Sequence, residues 1–378
     1  MIYHLVDEPF SAYTGLAISS IVANIMRFDQ NSIAVCPKAD DTWGFPPERS
    51  LVIPRLSLLA NGMGWRFAPS AIRGNIIRNI FKPATDRLKE GDIVWCHNWH
   101  YTAAGLERTI HAKGAKLVYH AHNSLAPFAK RTLFQSFTAD AYIFNSEAMR
   151  QESARLLPYL KNTYTIYNGA NESLFYPPPP GQGPNNPVPV VLYVGRLVAI
   201  KGVHVLIAAM KLLHERNIPA ICKIVGSSHA GGPKSKMTPY IKSLHDNCPP
   251  NVQFEGFRSG NDIGNNYRAA DILCCPSVWQ EPFGNVNVEA MACGVPVVAS
   301  RVGGIPEIAA EGGVLMVEPD SPTELADALE RLILNKDLRA KMGAEGVASF
   351  QRRFTWAAIV KKQSELVAKL QGNEVMAQ

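Results

Sequence analysis

The chain has 378 residues, of which 47% are hydrophobic and 19% are charged, and its formal net charge is +6 at pH 7. This length and composition are typical of a folded protein of about two domains and exclude a disordered or fibrous chain. The small positive excess fits a phosphate-bearing ligand or an anionic membrane surface. It does not indicate nucleic-acid binding, because no dense Lys/Arg run with interleaved aromatic residues occurs.

The cysteines and the N-terminus bear on the cellular compartment. The seven cysteines are odd in number and lie mostly in apolar runs, which predicts free, buried thiols in a reducing cytoplasm. The first residues contain neither the basic segment nor the long apolar segment of a secretory signal. Since no apolar run reaches membrane-spanning length, we expect a cytoplasmic protein.

The first forty residues predict the start of a parallel sheet. Residues 1–6 form a strand pattern, a loop containing Gly15 follows, and an apolar helix pattern begins near Ile18. Residues 32–37 predict the next strand. Strand, glycine-containing loop and helix is how a doubly wound sheet begins, and ligands of such sheets bind at the carboxyl ends of the strands.

Residues 49–85 contain no acidic residue but carry several arginines between apolar side chains. Such a basic, apolar segment can lie on an anionic membrane surface. A helix packed on the core with a solvated basic face explains the same pattern. Both interpretations stay open at this point.

Two further strand patterns end in histidines. Residues 92–97 lead to His97 and His100, and residues 116–121 lead to His120 and His122. In a parallel sheet these ends face one crevice. A metal site formed by Cys96, His97, His100 and His122 is conceivable, but no Cys-x-x-Cys pair supports it. Hydrogen bonding to a ligand hydroxyl is favoured, and an ordinary loop position remains open for each histidine.

The middle of the chain predicts a domain boundary. Residues 142–150 read as a strand, an Asn/Ser cap and a helix, and Asn168-Gly169 predicts a turn. The proline-rich run at 177–187 can form neither helix nor central strand, so we interpret it as the linker.

The second half begins with a strand at 188–194 and the loop Gly195-Arg-Leu-Val-Ala-Ile-Lys-Gly202, before a helix that starts near Gly202. A strand end followed by a helix start predicts an anion site. Arg196 and Lys201 flank it, and arginine can bind two phosphate oxygens at once while lysine supplies a mobile charge. The glycine spacing is not that of a P-loop.

Residues 280–290 place two carboxylates, Glu281 and Glu289, on either side of a turn at the start of another helix. Helix-start N–H groups can bind an anion between them, and the carboxylates can bind hydroxyls. A glycosidase would also use two carboxylates, but Glu289 lies too deep in the helix for that. After the next strand, Gly303 and Gly304 allow backbone N–H groups to approach a ligand closely.

The order and spacing of these motifs resemble the retaining glycosyltransferases of family 4, which have the GT-B fold. The Gly195–Gly202 loop, the pair Glu281 and Glu289, and Gly303-Gly-Ile-Pro-Glu307 carry the resemblance over residues 188–350. In the first half, residues 120–123, 145–147 and 168–169 look like family landmarks. The Thr14-Gly15 loop departs from the family's double glycine.

The resemblance implies an α/β architecture of two Rossmann-like, doubly wound parallel-sheet domains with a cleft between them. Residues 1–180 would bind the acceptor and residues 188–355 the nucleotide-sugar donor. A last helix, about residues 356–378, would pack back on the first domain.

The resemblance also implies roles for individual residues. Arg196 and Lys201 would hold the diphosphate, Glu281 the hydroxyls of the transferred sugar and Glu289 the ribose. His122 would be the catalytic histidine of the first domain, with His120 as second choice. The remaining donor contacts would come from Gly15, Gly195, Gly256, Phe257, Arg258 and the main chain of Phe283, Gly284, Asn285 and Val286.

The expected activity is transfer of a hexose-type sugar, with retention, from a UDP- or GDP-sugar to an acceptor hydroxyl in polysaccharide, lipopolysaccharide or glycolipid synthesis. Neither a metal nor another cofactor is implied, and peripheral contact with the inner face of the membrane through residues 49–85 is a further expectation. The alternatives are a nucleotide-sugar epimerase of the same architecture and a non-catalytic nucleotide-sugar-binding subunit. Nucleic acid is not an expected partner.

Overall fold

The computed structural model describes residues 1–11, 17–61, 69–128, 132–135, 137–179, 181–228 and 237–372. Gly15, residues 62–68 of the basic segment and residues 373–378 lie outside the described residues. The chain forms two compact units, one made of residues 1–167 and 359–378 and the other of residues 168–358.

The first unit contains a parallel sheet of seven strands in the order β3-β2-β1-β4-β5-β6-β7. The strands are β1 (Ile2–Leu5), β2 (Ser32–Cys36), β3 (Ser50–Val52), β4 (Ile93–His97), β5 (Lys116–Ala121), β6 (Ala141–Phe144) and β7 (Thr163–Thr165). Every residue of β4 is buried, as expected for a parallel strand covered on both faces. The chain order reverses between β1 and β4, which makes this the switch point where ligands of doubly wound sheets bind.

Helices that connect these strands cover the sheet. They are α1 (Ala17–Phe28), α2 (Leu56–Asn61), α3 (Ser70–Thr85), α4 (His100–Ala112) and α5 (Glu147–Leu156). The predicted cap before α5 is confirmed, because the Ser146 side chain accepts a hydrogen bond of 3.1 Å from the N–H of Met149. Apolar faces of α3 and α4 join the strands in one core, in which Phe81 and Phe144 are completely buried.

The second unit contains a six-stranded parallel sheet in the order β10-β9-β8-β11-β12-β13. Its strands are β8 (Val190–Val194), β9 (Ile221–Val225), β10 (Val252–Gly256), β11 (Ile272–Cys275), β12 (Val297–Ser300) and β13 (Val314–Val317). Its helices are α6 (Val203–Glu215), α7 (Pro239–Asp246), α8 (Gly260–Arg268), α9 (Asn285–Ala292), α10 (Ile305–Ala309), α11 (Pro322–Ile333) and α12 (Lys336–Arg353). Here the switch point lies between β8 and β11.

The boundary between the units precedes the proline-rich run. Residues 168–176, which the sequence analysis placed in the first domain, belong to the second unit. Their contacts explain this: Asn168 Nδ2 donates to Asn285 Oδ1 at 3.0 Å, and the N–H of Ala170 donates to the Phe354 carbonyl at 3.2 Å. The prolines show where regular secondary structure is interrupted. The hydrogen bonds of Asn168 and Ala170 show where the second unit begins.

The last helix, α13 (Trp356–Leu370), begins in the second unit and continues into the first. From residue 359 onward it contacts first-unit residues: Lys362 and Lys369 lie over the rings of Tyr167 and Tyr164, at 5.5 and 5.3 Å from the ring centroids. Beyond the helix, Gln371 Nε2 donates to the Gly91 carbonyl. Among the described residues, no helix has the length and apolarity needed to cross a bilayer.

Candidate functional site

Three loops at neighbouring strand ends bring the second-half motifs together. The loop after β8 carries Lys201, the segment after β11 carries Glu281, and the loop after β12 carries Gly303. Because β8, β11 and β12 are adjacent in the sheet, their carboxyl ends form one edge at the switch point. Sequence motifs spread over about a hundred residues, from Lys201 to Gly303, therefore form a single site.

Gly202 allows the first two loops to approach each other. It has a left-handed backbone with φ of 68°, and a Cβ there would lie 1.8 Å from the carbonyl oxygen of Pro276. The N–H of Val278 donates to the Ile200 carbonyl at 3.0 Å in the same contact. A residue with a side chain at 202 would separate the loops, so the glycine is needed for the position of Lys201.

A buried carboxylate and a lysine form the centre of the site. Lys201 Nζ donates to Glu281 Oε1 at 2.5 Å, and the Ser277 hydroxyl donates to the same oxygen at 2.5 Å. The Glu281 side chain is 5% exposed and that of Lys201 22%. Lys201 also lies over the Trp279 ring, 5.4 Å from its centroid. A carboxylate this deeply buried needs such partners, since an unpaired buried charge is strongly unfavourable.

The main chain of Glu281 is fixed by the glycine loop after β12. Gly304 N–H donates to the Glu281 carbonyl at 2.9 Å, and Gly303 N–H donates to Gln280 Oε1 at 2.8 Å. Gly303 has φ of 52°, and a Cβ there would lie 2.0 Å from the Glu281 carbonyl oxygen. The glycine pair thus holds the main chain of Glu281, which is a structural role that the sequence analysis did not predict.

Helix α9 starts directly after this contact. Gly284 precedes it in a left-handed conformation with φ of 95°, and Phe283 is buried just before it. The side chain of Asn285 is held by Asn168, and Asn287 Nδ2 donates to the Gly284 carbonyl at 3.1 Å. The predicted main-chain contacts at 283–286 therefore lie at a rigid helix start, where N–H groups favour an anion.

Glu289 lies one turn into α9 and is separate from the Lys201–Glu281 pair. Its Oε2 accepts a hydrogen bond of 2.7 Å from the hydroxyl of Tyr267, whose side chain is completely buried. Burial raises the pKa of Glu289, and the tyrosine hydrogen bond opposes this shift. A carboxyl group held this way can accept hydrogen bonds from ligand hydroxyls.

The other predicted donor contacts lie at the ends of β8 and β10. Arg196 follows Gly195 and has an exposed side chain, for which the described residues offer no hydrogen-bond partner. Arg258 is partly satisfied, since its guanidinium donates to the Phe257 carbonyl at 3.2 Å and to Glu255 Oε2 at 3.4 Å. Gly256 has a left-handed φ of 73° and ends β10. Arg196 is thus a cation available to an anionic ligand.

Histidines of the first unit form a connected cluster at its own switch point. His97 Nε2 lies 3.0 Å from His4 Nδ1, and His97 Nδ1 lies 2.8 Å from His122 Nε2. Trp95 Nε1 donates to His120 Nδ1 at 3.2 Å. Among the described residues, His120 Nε2 and His122 Nδ1 are buried without a hydrogen-bond partner. Neither position is therefore an ordinary loop histidine.

Burial keeps this cluster neutral at physiological pH. It lowers the pKa of His4 to about 4 and that of His122 to about 3. It also holds the pKa values of His97 and His120 well below the ordinary value, and neighbouring imidazoles add to the shift. Imidazoles that stay neutral act as one donor and one acceptor each.

The cluster also contains side chains of the kind that bind metal ions. Of the described residues, His97, His120 and His122 each offer a ligand atom within 4.8 Å of the others. Cys96 and His100 are not part of this group, so the conceivable set of the sequence analysis was wrong in composition. The Trp95 N–H can only donate, so it leaves the proton of neutral His120 on Nε2, the nitrogen that a cation would need. This arrangement favours hydrogen bonding.

Three partners of the site residues were not predicted. Ser277 and Tyr267 carry no motif, although Ser277 ends the same strand run that leads to Glu281. His4 had one usable signal, because a polar residue inside an apolar strand pattern needs a buried partner. Identifying that partner required the sheet order, which places β1 beside β4.

Comparison with known proteins agrees with this architecture. The family model described as "Glycosyl transferases group 1" matches residues 179–348. The model "Glycosyltransferase Family 4" matches residues 34–174. Between them the two models cover more than half of the chain.

Individual relatives and structures are more distant. The chain is 28% identical over 243 residues to spore coat protein SA of Bacillus subtilis, covering 60% of this chain and 63% of that protein. It is 39% identical over 188 residues to a D-inositol 3-phosphate glycosyltransferase of Corynebacterium jeikeium, covering 48% of this chain and 43% of that protein. The chain thus spans less than two thirds of either relative.

A similar solved structure is that of Anabaena HepE in complex with UDP and glucose. It has a TM-score of 0.73 and 21% identity, and the match covers 97% of this chain and 99% of that one. At this identity the match shows the fold alone. From the two family models and this shared fold of two parallel-sheet units, we conclude that the chain belongs to the group 1, family 4 glycosyltransferases and has the GT-B fold.

Proposed function

We propose that the protein is a retaining glycosyltransferase that moves a hexose-type sugar from a nucleotide-diphosphate-sugar to an acceptor hydroxyl. The observation that carries the proposal is the Lys201–Glu281 pair at the switch point of the second sheet. It places a cation and a hydroxyl-binding carboxylate side by side, which are the groups that a diphosphate joined to a sugar requires. The UDP and glucose bound by HepE support a nucleotide-sugar donor, with UDP or GDP as the expected nucleotide.

The reaction needs stabilisation of an anionic leaving group. The bond between the anomeric carbon and the phosphate oxygen breaks, and the acceptor oxygen forms a bond to the same face of that carbon. The acceptor proton passes to an oxygen of the leaving phosphate. Arg196, Lys201 and the N–H groups at the start of α9 supply fixed positive charge for the phosphate. These groups do the work that a metal ion would do elsewhere, so we propose metal-independent catalysis without a further cofactor.

The two glutamates bind hydroxyls in this proposal. In Glu281, Oε1 receives both described hydrogen bonds, which leaves Oε2 to accept from a hydroxyl of the transferred sugar. Glu289 accepts from the ribose and is oriented by Tyr267. Neither acts as a proton donor in catalysis. The acceptor is a saccharide or a lipid-linked hydroxyl compound, and the name of the Corynebacterium relative shows that a small phosphorylated polyol can serve one relative.

A calorimetric titration tests the donor site. We expect Glu289→Ala to weaken binding of the preferred nucleoside diphosphate by about tenfold, since one charge-assisted hydrogen bond to the ribose is lost. The preferred nucleotide is first identified by thermal shift with UDP, GDP and ADP, because a ligand of the folded state raises the melting temperature. Glu215→Ala is the matched control, because Glu215 is exposed at the last residue of α6. Unchanged affinity of Glu289→Ala for every nucleoside diphosphate would contradict the ribose role.

Product analysis separates the reaction classes. A transferase yields a glycosylated acceptor and free nucleoside diphosphate only when an acceptor is present. Conversion of the donor sugar without acceptor would identify an epimerase. Tight nucleotide binding without turnover in a broad acceptor screen would identify a binding subunit.

We also propose peripheral binding of the first unit to an anionic membrane from the cytoplasmic side. In the described part of residues 49–85, Leu58 is 63% exposed and Ile72 51% exposed, and Arg55 is exposed near Leu58. Exposed apolar side chains beside cations suit a membrane surface. Sedimentation with phosphatidylglycerol vesicles should give binding that falls with added salt and that Leu58→Ser weakens severalfold.

The matched control for this test is Leu334→Ser. Leu334 is also 63% exposed but lies in the second unit, so its replacement should leave vesicle binding unchanged. Equal loss in both variants, or no salt-dependent binding at all, would reject the membrane proposal.

A further inference from the structure

A line of hydrogen bonds crosses the sheet of the first unit from the surface to His122. It passes through four adjacent strands, because Ser32 is on β2, His4 on β1, His97 at the end of β4 and His122 directly after β5. At its outer end the Ser32 hydroxyl donates to the carboxylate of Asp29. His4 Nε2 lies 3.1 Å from the Ser32 oxygen. The line thus has a half-buried carboxylate at one end and, at the other, an imidazole nitrogen that has no hydrogen-bond partner among the described residues.

The carboxylate determines the direction of every hydrogen bond in this line. An ionised carboxylate can only accept, so Ser32 must donate to Asp29 and must accept from His4 Nε2–H. A neutral imidazole carries one proton, which leaves His4 Nδ1 as an acceptor for His97 Nε2–H. By the same reasoning, His97 Nδ1 accepts from His122 Nε2–H. The last nitrogen, His122 Nδ1, then has no proton and presents a lone pair.

His120 has a proton on the nitrogen that lacks a described partner, whereas the corresponding nitrogen of His122 has none. The indole of Trp95 donates to His120 Nδ1, so the proton of His120 lies on Nε2. The rings of His120 and His122 are neighbours, with centroids 4.0 Å apart. The cluster therefore offers one buried donor, His120 Nε2–H, and one buried acceptor, His122 Nδ1. A hydroxyl group is the ligand that both accepts and donates one hydrogen bond.

We propose that Asp29, Ser32, His4 and His97 are positioning residues that fix His122 as its Nε2–H tautomer, so that His122 Nδ1 and His120 Nε2–H together bind one substrate hydroxyl. The inference rests on the proposed function for the identity of the substrate, but the tautomer assignment stands on the contacts alone. Arg49 braces the outer end of the line, since its guanidinium donates to the carbonyls of Met26, Asp29 and Ser32.

The substitution Asp29→Asn tests the direction of the line. An asparagine can donate to Ser32, so the Ser32 hydroxyl can turn towards His4 and all three imidazoles can reverse to Nδ1–H. Long-range ¹H–¹⁵N NMR of the imidazoles reports the tautomer directly. We expect pure Nε2–H signals for His4, His97, His120 and His122 in the parent protein. In Asp29→Asn we expect a mixture of Nδ1–H and Nε2–H signals for His4, His97 and His122. The Nε2–H signal of His120 should be unchanged.

Activity gives a second readout. If the proton of His122 moves to Nδ1, that nitrogen can no longer accept a hydrogen bond from the substrate hydroxyl. We therefore expect kcat of Asp29→Asn to fall by about tenfold, with an unchanged melting temperature. Asp86→Asn is the matched control, because Asp86 is an exposed aspartate of the same unit paired only with Lys82 among the described residues. It should change neither readout. Asp29→Glu, which remains an acceptor, should retain the Nε2–H signals.

The two readouts separate this inference from the proposed function. A protein without transferase activity but with the expected tautomers would contradict the proposed function and leave the line intact. An Nδ1–H signal from His122 in the parent protein, or identical tautomers in Asp29→Asn, would overturn the inference. Stoichiometric zinc in the purified protein that is lost in His120→Asn would overturn it as well, because the cluster would then be a metal site.

Discussion

Replacing Lys201 with alanine is expected to lower kcat by about a hundredfold or more, since the leaving phosphate loses a fixed cation. The same substitution should also destabilise the second unit, because Glu281, 5% exposed, loses its charged partner. Breaking a buried pair by removing one member costs about 3–5 kcal/mol. Steady-state kinetics and urea unfolding measure the two effects separately.

A double variant shows which effect is catalytic. In Lys201→Met with Glu281→Gln, neither side chain is charged and the volumes are nearly kept, so most of the stability should return. Activity should stay low, because both the cation and the carboxylate are still missing. Recovery of activity together with stability would show that the pair is only structural.

Lys242→Ala is the control for the lysine substitution. Lys242 pairs with Asp246 at 2.7 Å on an exposed helix face, where both side chains are more than half exposed. Such surface pairs contribute about 0–1 kcal/mol. Wild-type turnover in Lys201→Ala would remove Lys201 from the leaving-group site and with it the main support for the proposed function.

The site in the second half of the chain could be predicted closely, because its charged residues come directly after predicted strands. A strand, a short loop and a helix start appear in the sequence as an apolar run, a glycine and a new periodicity, as at Val190–Val194 and Gly202. Once the sheet is assumed parallel, the carboxyl ends of such strands must share one edge. Lys201 and Glu281 meet there as a direct consequence.

What the sequence did not predict depends on three-dimensional neighbours. The Gly303–Gly304 pair was interpreted as a ligand-approach loop, but its nearest partners are the main chain of Glu281 and the side chain of Gln280. Two glycines in the sequence show that no side chain is present at these positions. They do not show which neighbouring group approaches the backbone there. Short edge strands such as Ser50–Val52 and Thr163–Thr165 were also missed, because three residues give no measurable periodicity.

The histidines show the same limit in the first unit. Their positions at strand ends predicted one crevice lined by His97, His100, His120 and His122, of which the cluster contains all but His100. The other members of the line were not predicted, because His4 lies inside β1 and Ser32 at the start of β2. Which histidine contacts which depends on the strand order β2-β1-β4-β5. A single sequence gives the position of each residue along the chain. This line of hydrogen bonds instead connects neighbouring strands, whose order in the sheet the sequence does not give.

The buried histidines should make the first unit sensitive to acid. Burial lowers the pKa of His4 to about 4 and of His122 to about 3, and those of His97 and His120 lie well below 6.5. Below pH 6.5 the unfolded chain binds protons at these positions and the folded chain does not. The free energy of unfolding therefore falls as the pH falls from 6.5 towards 4. At pH 5, His4 and His122 each lower the free energy of unfolding by about 2 kcal/mol.

His4 and His122 together would lower the free energy of unfolding by about 4 kcal/mol at pH 5, a large part of the stability of a typical domain, and His97 and His120 act in the same direction. In the first unit the raised pKa of Glu8 acts in the opposite direction, since the folded chain then binds the proton more tightly than the unfolded chain. This single carboxyl group offsets only part of the histidine effect. We therefore expect the first unit to be several kcal/mol less stable near pH 5 than at pH 7.5.

Urea unfolding at pH 7.5, 6.5 and 5.5 measures this dependence, and its slope gives the number of protons taken up. His120→Gln should reduce this uptake, because burial disfavours the protonated form of His120 in the folded chain only. A free energy of unfolding that is constant from pH 7.5 to pH 5.5 would mean that the histidines take up protons as readily in the folded state as in the unfolded chain. That result would contradict the burial of the cluster, so this measurement tests the first unit independently of any substrate.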